Sequence, residues 1–277
     1  LINQESQNLL MNFDSFDVDA DESVLITQPN AAAWFVGQVL GGSPTAIFGN
    51  ITANGRVALV NSSGVIFGET ASVNAAGVFA SALGVKSEDI FDGKVDMQAQ
   101  AGAGGYVVNH GVISASLGGE VTLLGGSVAN TGVIMATLGH VNLATGSKAV
   151  VTFGSEQLLG VEVTQEVLEN NEGLKAAIEN TGTIDAEGGS VMLTSSVSKS
   201  LFDNAINNTG VIRANQAEVK NGVIRLFGSG SSVLNMGTVD ASGETAGGSV
   251  SISSDRDVVV SGGKVLATAD SGVGGDV

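Results

Sequence analysis

The sequence predicts an all-β fold, a right-handed parallel β-helix, and two alternating repeat patterns predict it. The first pattern is Asn-x-Gly-x-(Ile/Val)-x-Ala, seen as Asn109-His110-Gly111-Val112-Ile113-Ser114-Ala115. It starts again at Asn130, Asn180 and Asn208, and at Asn235 with Val in the Ile position. The unit recurs every 20 to 30 residues or so, with one interval about twice as long, which marks a stacked solenoid. The second pattern is a short Gly-x-Val-x-Leu type run, as in Gly119-Glu120-Val121-Thr122-Leu123, Gly139-His140-Val141-Asn142-Leu143 and Gly189-Ser190-Val191-Met192-Leu193. Gly222-Val223-Ile224-Arg225-Leu226 and Gly248-Ser249-Val250-Ser251-Ile252 continue it.

Each run alternates apolar with small or polar residues and is rich in β-branched side chains, the signature of a strand with one buried face. Strands this short cannot bury that face alone. Stacked in parallel at a rise of about 4.8 Å, they build columns of Val, Ile, Leu and Ala around a common interior. The right hand follows from the general crossover rule. At roughly 22 to 25 residues per coil the chain makes about 11 coils. Gly and Asn between the runs read as positions of positive φ. Asn109, Asn130, Asn180, Asn208 and Asn235 read as a structural turn ladder, each bonding local backbone and stacking on the Asn of the next coil.

Composition agrees with this fold and limits what it does. The chain has 277 residues with 40 Gly, 2 Pro and no Cys; 14% of residues are charged and 4% are aromatic. A single stacked domain over 1–277 is expected, because each coil needs only its neighbours. The net charge of −17 argues against nucleic-acid binding and against docking on anionic membranes. No stretch approaches the ~18 apolar residues of a membrane span, so direct membrane insertion is not expected. No basic n-region with an apolar h-region opens the chain, and it starts at Leu1 instead of Met, so it reads as a fragment, processed or cut, with any export signal expected outside it.

Taken in order, residues 1–50 read as an N-terminal cap. Asn12-Phe13-Asp14-Ser15-Phe16-Asp17-Val18-Asp19 alternates apolar with acidic side chains, and Ser23-Val24-Leu25-Ile26-Thr27-Gln28 is a second strand stopped by Pro29. Asp14, Asp17, Asp19, Asp21 and Glu22 fail the calcium-loop template, since Glu22 stands where Gly belongs and Gln28 where the closing Glu belongs. Residues 51–277 read as stacked coils with insertions near 82–105 and 153–178. The first insertion carries Glu88, Asp89, Asp92 and Asp96 and ends in Gly102-Ala103-Gly104-Gly105. The second holds Val161 and Val163 in a protruding strand and, through Glu166-Val167-Leu168-Glu169 and Leu174-Lys175-Ala176-Ala177, one short helix.

Between Ala53 and Ser81 the residues become specific. Ala53-Asn54-Gly55-Arg56-Val57 leads to Leu59-Val60-Asn61-Ser62-Ser63-Gly64-Val65-Ile66-Phe67-Gly68, and then to Ala71-Ser72-Val73-Asn74-Ala75-Ala76-Gly77-Val78-Phe79-Ala80-Ser81. With Phe13-Asp14-Ser15-Phe16 and Gln28-Pro29-Asn30, this resembles the two-partner secretion, or haemagglutination-activity, domain of filamentous haemagglutinin-like exoproteins. The resemblance covers about residues 1 to 250. It departs where Asn61-Ser62-Ser63-Gly64 replaces the family's Asn-Pro-Asn-Gly. The resemblance implies a secreted or surface adhesin of a Gram-negative bacterium that serves biofilm or host attachment and transits the periplasm. Its partner would be an outer-membrane β-barrel secretion transporter with periplasmic recognition domains, and its transporter-recognition motif would be Asn61, Gly64, Val65, Ile66, Phe67 and Gly68. An exopolysaccharide or host glycan is a further candidate ligand, and the chain is expected to be a monomer. The alternative within the family is the front part of a contact-dependent inhibition toxin or haemolysin delivery protein.

No chemistry-bearing constellation competes with that reading. His110 and His140 lie in different halves of the repeat, and no Cys or third His joins them, so no metal site is expected. The sequence has no Gly-x-Ser-x-Gly elbow and no phosphate loop. Catalytic residues and a cofactor are not expected, and a carbohydrate-active β-helix enzyme is the least favoured class, because its clustered Asp, Lys and Arg are missing.

Overall fold

The computed structural model describes residues 1–85, 93–100, 105–152, 160–170, 174–217 and 220–277. Among these the chain winds as a parallel β-helix in which each full coil gives one strand to each of three parallel sheets. Sheet A has ten strands, from Ile2–Asn3 to Lys264–Leu266, and sheet C has eight, from Thr45–Ile47 to Val258–Val260. Sheet B has nine strands in the order Asn8–Phe13, Trp34–Val39, Arg56–Asn61, Gly77–Ser81, Glu120–Gly125, His140–Thr145, Ser190–Ser196, Val223–Ser229 and Ser249–Ser254. The longest sheet thus has ten strands where the repeat length predicted about eleven coils, because among the described residues the stretches between Gly77–Ser81 and Tyr106–Asn109 and between His140–Thr145 and Ala176–Asn180 add no strand to the three parallel sheets.

Register explains why the short runs suffice. Leu59, Ala80, Leu123, Leu143, Leu193 and Leu226 sit directly above one another in sheet B. All are buried, in one continuous interior cluster. Each Leu so buried contributes about 1.5–3 kcal/mol relative to an exposed one. A coil therefore gains its stability only by lying on the next.

Residues 1–50, set apart from the repeat in the sequence, cover the first end of the stack with strands of the same winding. Ile2–Asn3 pairs in parallel with Ser23–Thr27, and Asn8–Phe13 with Trp34–Val39. Gly37 leaves a gap in the Leu59 column, and a Cβ there would sit 3.5 Å from the Phe13 ring. Phe13 in turn meets Phe16 edge-on, with ring centroids 5.0 Å apart. The polar motifs brace these first turns. The buried Gln28 side chain donates to the Ala33 carbonyl at 3.0 Å and accepts from the Gly55 N–H at 3.0 Å. Asn54 clasps the Gln28 backbone from both sides, at 2.7 and 2.8 Å.

Strands from the two expected insertions join one lateral sheet, on either side of Lys148–Thr152. Lys94–Gln98 of the first pairs antiparallel with Lys148–Thr152, which pairs antiparallel with Gly160–Gln165. This lateral sheet lies on the outside of sheet B. Its Val95, Met97, Ala149 and Val151 are buried against Trp34, Val36, Ala58, Val60, Phe79, Leu124 and Ala144. Val161 and Val163, expected to protrude, pack partly buried against the same cluster. The expected short helix is not formed among the described residues. Val167 bridges in parallel to Val197, and Ala176 and Ala177 belong to strand Ala176–Asn180. Pairing of Ile178 with Val128 on the rung beneath outweighs the modest helix propensity of the segment. Glu88, Asp89, Asp92 and Gly102-Ala103-Gly104 lie outside the described residues.

The glycines also correct an expectation. Those of the Asn-x-Gly turns, Gly111, Gly132, Gly182, Gly210 and Gly237, do not have positive φ. They are small for another reason. A Cβ on Gly132, Gly182, Gly210 or Gly237 would strike the carbonyl oxygen of the equivalent glycine one coil before, at Gly111, Gly132, Gly182 and Gly210 respectively. Backbone stacks on backbone at that corner, and only hydrogen fits between.

Candidate functional site

The six residues singled out by resemblance form one continuous turn and strand. Strand Arg56–Asn61 ends at a turn in which the Gly64 N–H donates to the Asn61 carbonyl at 2.9 Å, while the Ser63 N–H donates to Asn61 Oδ1 at 2.9 Å. Gly64 takes φ +125°, a conformation that L side chains rarely adopt. The Asn61 amide donates to the Ser43 carbonyl at 2.9 Å and to Thr45 Oγ1 at 3.0 Å, tying the turn to the coil beneath. With serines in place of Pro-Asn the turn stays closed, since its bonds join the Asn61 oxygens to the backbone N–H groups of Ser63 and Gly64 and need no side chain at 62 or 63.

After the turn, strand Val65–Phe67 pairs with Thr45–Ile47 on one side and Tyr106–Asn109 on the other. Val65 and Phe67 point inward and are fully buried. Ile66 points outward between Ala46 and Val108 and is half-buried. At Gly68 the Phe48 ring occupies the place of a Cβ. The Gly68 N–H donates to the Ile47 carbonyl at 2.7 Å. The structure thus brings all six together, but only Ile66 offers a side chain to solvent.

The asparagine ladder runs along the interior. Asn109, Asn130, Asn180, Asn208 and Asn235 are fully buried. Each amide nitrogen donates to the amide oxygen of the next: Asn109 to Asn130 at 2.8 Å, Asn130 to Asn180 at 2.8 Å, Asn180 to Asn208 at 2.7 Å and Asn208 to Asn235 at 2.7 Å. The Asn109 carbonyl also accepts from the N–H groups of Thr131 and Gly132 in the following coil. The position before Asn109 in this column is Phe67 and the position after Asn235 is Val260. Buried polar groups are tolerated because each is satisfied.

The remaining candidates serve the coils as well. His110 Nδ1 hydrogen-bonds with Thr131 Oγ1 at 2.7 Å, and His140 Nδ1 with Ser190 Oγ at 2.6 Å. Burial, and then the charge of Lys220, hold the His140 imidazole below its usual pKa. Among the described residues no group of three His, Asp or Glu side chains could hold a metal. In the acidic run, Glu22 closes a turn by accepting from the Asp19 N–H at 3.0 Å, and Asp17 ties across to strand Thr45–Ile47 by accepting from the Ala46 N–H at 2.8 Å. Sequence reasoning missed the lateral sheet as a unit. Its signal was present in the apolar residues at outward positions, Val36, Ala58, Val60 and Phe79.

Comparison with known proteins agrees with this geometry. The family model described as the TPS secretion domain matches residues 1–244. The structure of the HMW1 secretion domain from Haemophilus influenzae superposes with a TM-score of 0.81 at 26% identity, covering 95% of this chain and 66% of that one. The filamentous hemagglutinin secretion domain has the same fold, with a TM-score of 0.65 at 13% identity over 99% of this chain and 92% of the other. Over 79 residues, 28% of this chain, the sequence is 38% identical to a heme/hemopexin-binding protein of Haemophilus influenzae, of which that stretch is 9%. The match therefore spans a small part of that relative's length. The chain belongs to the TPS secretion domain family, the two-partner modules through which exported proteins engage an outer-membrane transporter and pass by way of the periplasm to the cell exterior.

Proposed function

We propose that this secretion domain targets and nucleates the export of a large adhesin for biofilm or host attachment, and that the transporter reads Asn61, Gly64, Val65, Ile66, Phe67 and Gly68 before the coil closes. The observation that supports the timing is burial. Asn61, Val65 and Phe67 are at most 0% exposed in the folded coil, so a partner that reads their side chains meets them in the extended chain. Once outside, the first rungs form and each later rung adds to a ready edge, so folding proceeds in the direction of emergence without an external energy source. In this reading the module acts as a monomer and performs no catalysis, and an exopolysaccharide or host glycan is the ligand of the exported whole.

The test is co-expression with a two-partner transporter in a Gram-negative host, scoring the chain in the medium. Asn61→Ala and Phe67→Ala are expected to abolish export. Thr45→Val removes one folded-state partner of Asn61 while leaving the motif intact; it is expected to lower melting temperature and keep export. Equal export of Asn61→Ala and wild type would remove the motif assignment.

A further inference from the structure

The lateral sheet and the floor beneath it end at different places. Its last strand, Gly160–Gln165, lies against His140–Thr145 and Ser190–Ser196 of sheet B. Among the described residues only Lys148–Thr152 pairs with that strand, so its other edge stays open. Beyond the edge no described strand covers the floor. Phe227 stands in the same outward column as the buried Leu124 and Ala144, through Thr194, yet is 46% exposed. Met192, outward from the neighbouring position, is 38% exposed. That floor presents Met192 and Phe227 with the exposed Arg225 beside them, and an open strand edge beside such partly apolar ground is the arrangement that accepts an added strand, with main-chain hydrogen bonds supplied by the edge and side-chain contacts by the floor.

We propose that this corner docks an extended, cationic segment of another protein, which adds to Gly160–Gln165 as a fourth strand and lays alternate apolar side chains on Met192 and Phe227. Two observations define that occupant. The strands already in place turn Val95 and Met97, Ala149 and Val151, and Val161 and Val163 toward sheet B, so a strand continuing the layer needs the same alternation. Of the outward residues on the edge strand, Glu162 is acidic and exposed and Thr164 is neutral; Glu166 follows and accepts from Ser198 Oγ at 2.9 Å, in a chain of net charge −17. Lys or Arg on the solvent side of the incoming strand complements them. A second copy of this chain would set Glu162 near its own counterpart and is disfavoured on the same ground.

The probe is a fluorescent, N-acetylated peptide of about nine residues alternating Val with Lys and Thr, titrated against the full chain. Binding is expected to slow amide exchange at 160–165 and to shield Met192 from oxidation by peroxide. Because Phe227 is on the surface, Phe227→Asp is expected to keep the wild-type circular dichroism while weakening the peptide about tenfold or more. A peptide with Glu in place of Lys is expected to bind several-fold less tightly. The proposal is overturned if amides 160–165 exchange unchanged with peptide bound, if Phe227→Asp binds equally, or if the Glu peptide matches the Lys peptide. It is also overturned if light scattering shows a dimer of the free chain that Phe227→Asp dissolves, since a second copy would then be the occupant.

Discussion

Two stretches of sheet B have the same interior and different exteriors. In the covered stretch, all six residues of Trp34–Val39 and all six of Glu120–Gly125 are buried. In the bare stretch, Ser190–Ser196 and Val223–Ser229 alternate between buried and more open positions. Both stretches share the Leu143, Leu193 and Leu226 column. The difference comes from the lateral sheet, which buries the outward residues of one stretch and leaves those of the other in water. Alternation along a strand therefore reports how many of its faces are covered, not whether it belongs to the stack.

If the interior is common to both stretches, damage to it should cost the same in either. The largest effect is expected from adding a Cβ where backbone stacks on backbone. On Gly139, in the covered stretch, it would strike the Gly119 carbonyl; on Gly189, in the bare one, the Gly139 carbonyl. Gly139→Ala and Gly189→Ala should each cost more than about 4 kcal/mol and abolish a cooperative melt by circular dichroism. A wild-type melt for either would break the claim of a shared interior.

The exteriors should separate in the next test. Leu124→Ala, under the lateral sheet, should cost about 2–5 kcal/mol in urea unfolding, whereas Met192→Ala should stay within about 1 kcal/mol. Equal costs would mean that the cover contributes nothing. Asn180→Ala should cost about 1–3 kcal/mol, because it strands the Asn130 donor and the Asn208 acceptor inside the coil; urea unfolding again measures it.

The smallest effect is a pH dependence at His140, beside the boundary of the two stretches. Its imidazole is held below the usual value by burial first and by Lys220 second, so the fold favours the neutral form. The stability this gives is present above the usual imidazole value and is lost as pH falls from there to the lower folded value. Between about pH 7.5 and pH 5 the wild-type melting temperature should fall more than that of His140→Gln. The partial exposure of the ring keeps the difference small, and parallel curves would show that the ring does not sense the fold.

The repeat was legible because in a solenoid the interior face of each rung meets a copy of itself. Val121, Val141 and Val191 had to recur in step, and they do. The lateral sheet was not legible because its strands, Lys94–Gln98 on one side and Lys148–Thr152 with Gly160–Gln165 on the other, are separated in sequence and join only across an outer surface. Residues such as Trp34 and Phe79 read as ordinary core or cap. The short helix expected across Glu166–Glu169 and Leu174–Ala177 is not formed among the described residues for a related reason: local propensity favoured it, but Val167 bridges to Val197 and Ala176 and Ala177 enter strand Ala176–Asn180. The glycine corners were assigned to φ when they answer to the oxygen of the preceding coil, which no single repeat displays. The motif at Asn61 to Gly68 was found by its letters, and the inward direction of its side chains came only with the fold.

The asparagine ladder is polar along its length, since every amide hands its hydrogen forward to the residue that comes later in the chain. A half-built stack ends on an amide nitrogen that keeps only a long local bond, as Asn235 has to the Gly237 carbonyl at 3.4 Å, and the next coil adds a shorter bond to an amide oxygen, a gain of about 0.5–1.5 kcal/mol. Growth from the N-terminus thus has a built-in pull at each step, and a pause forgoes that bond at whichever asparagine was last laid down.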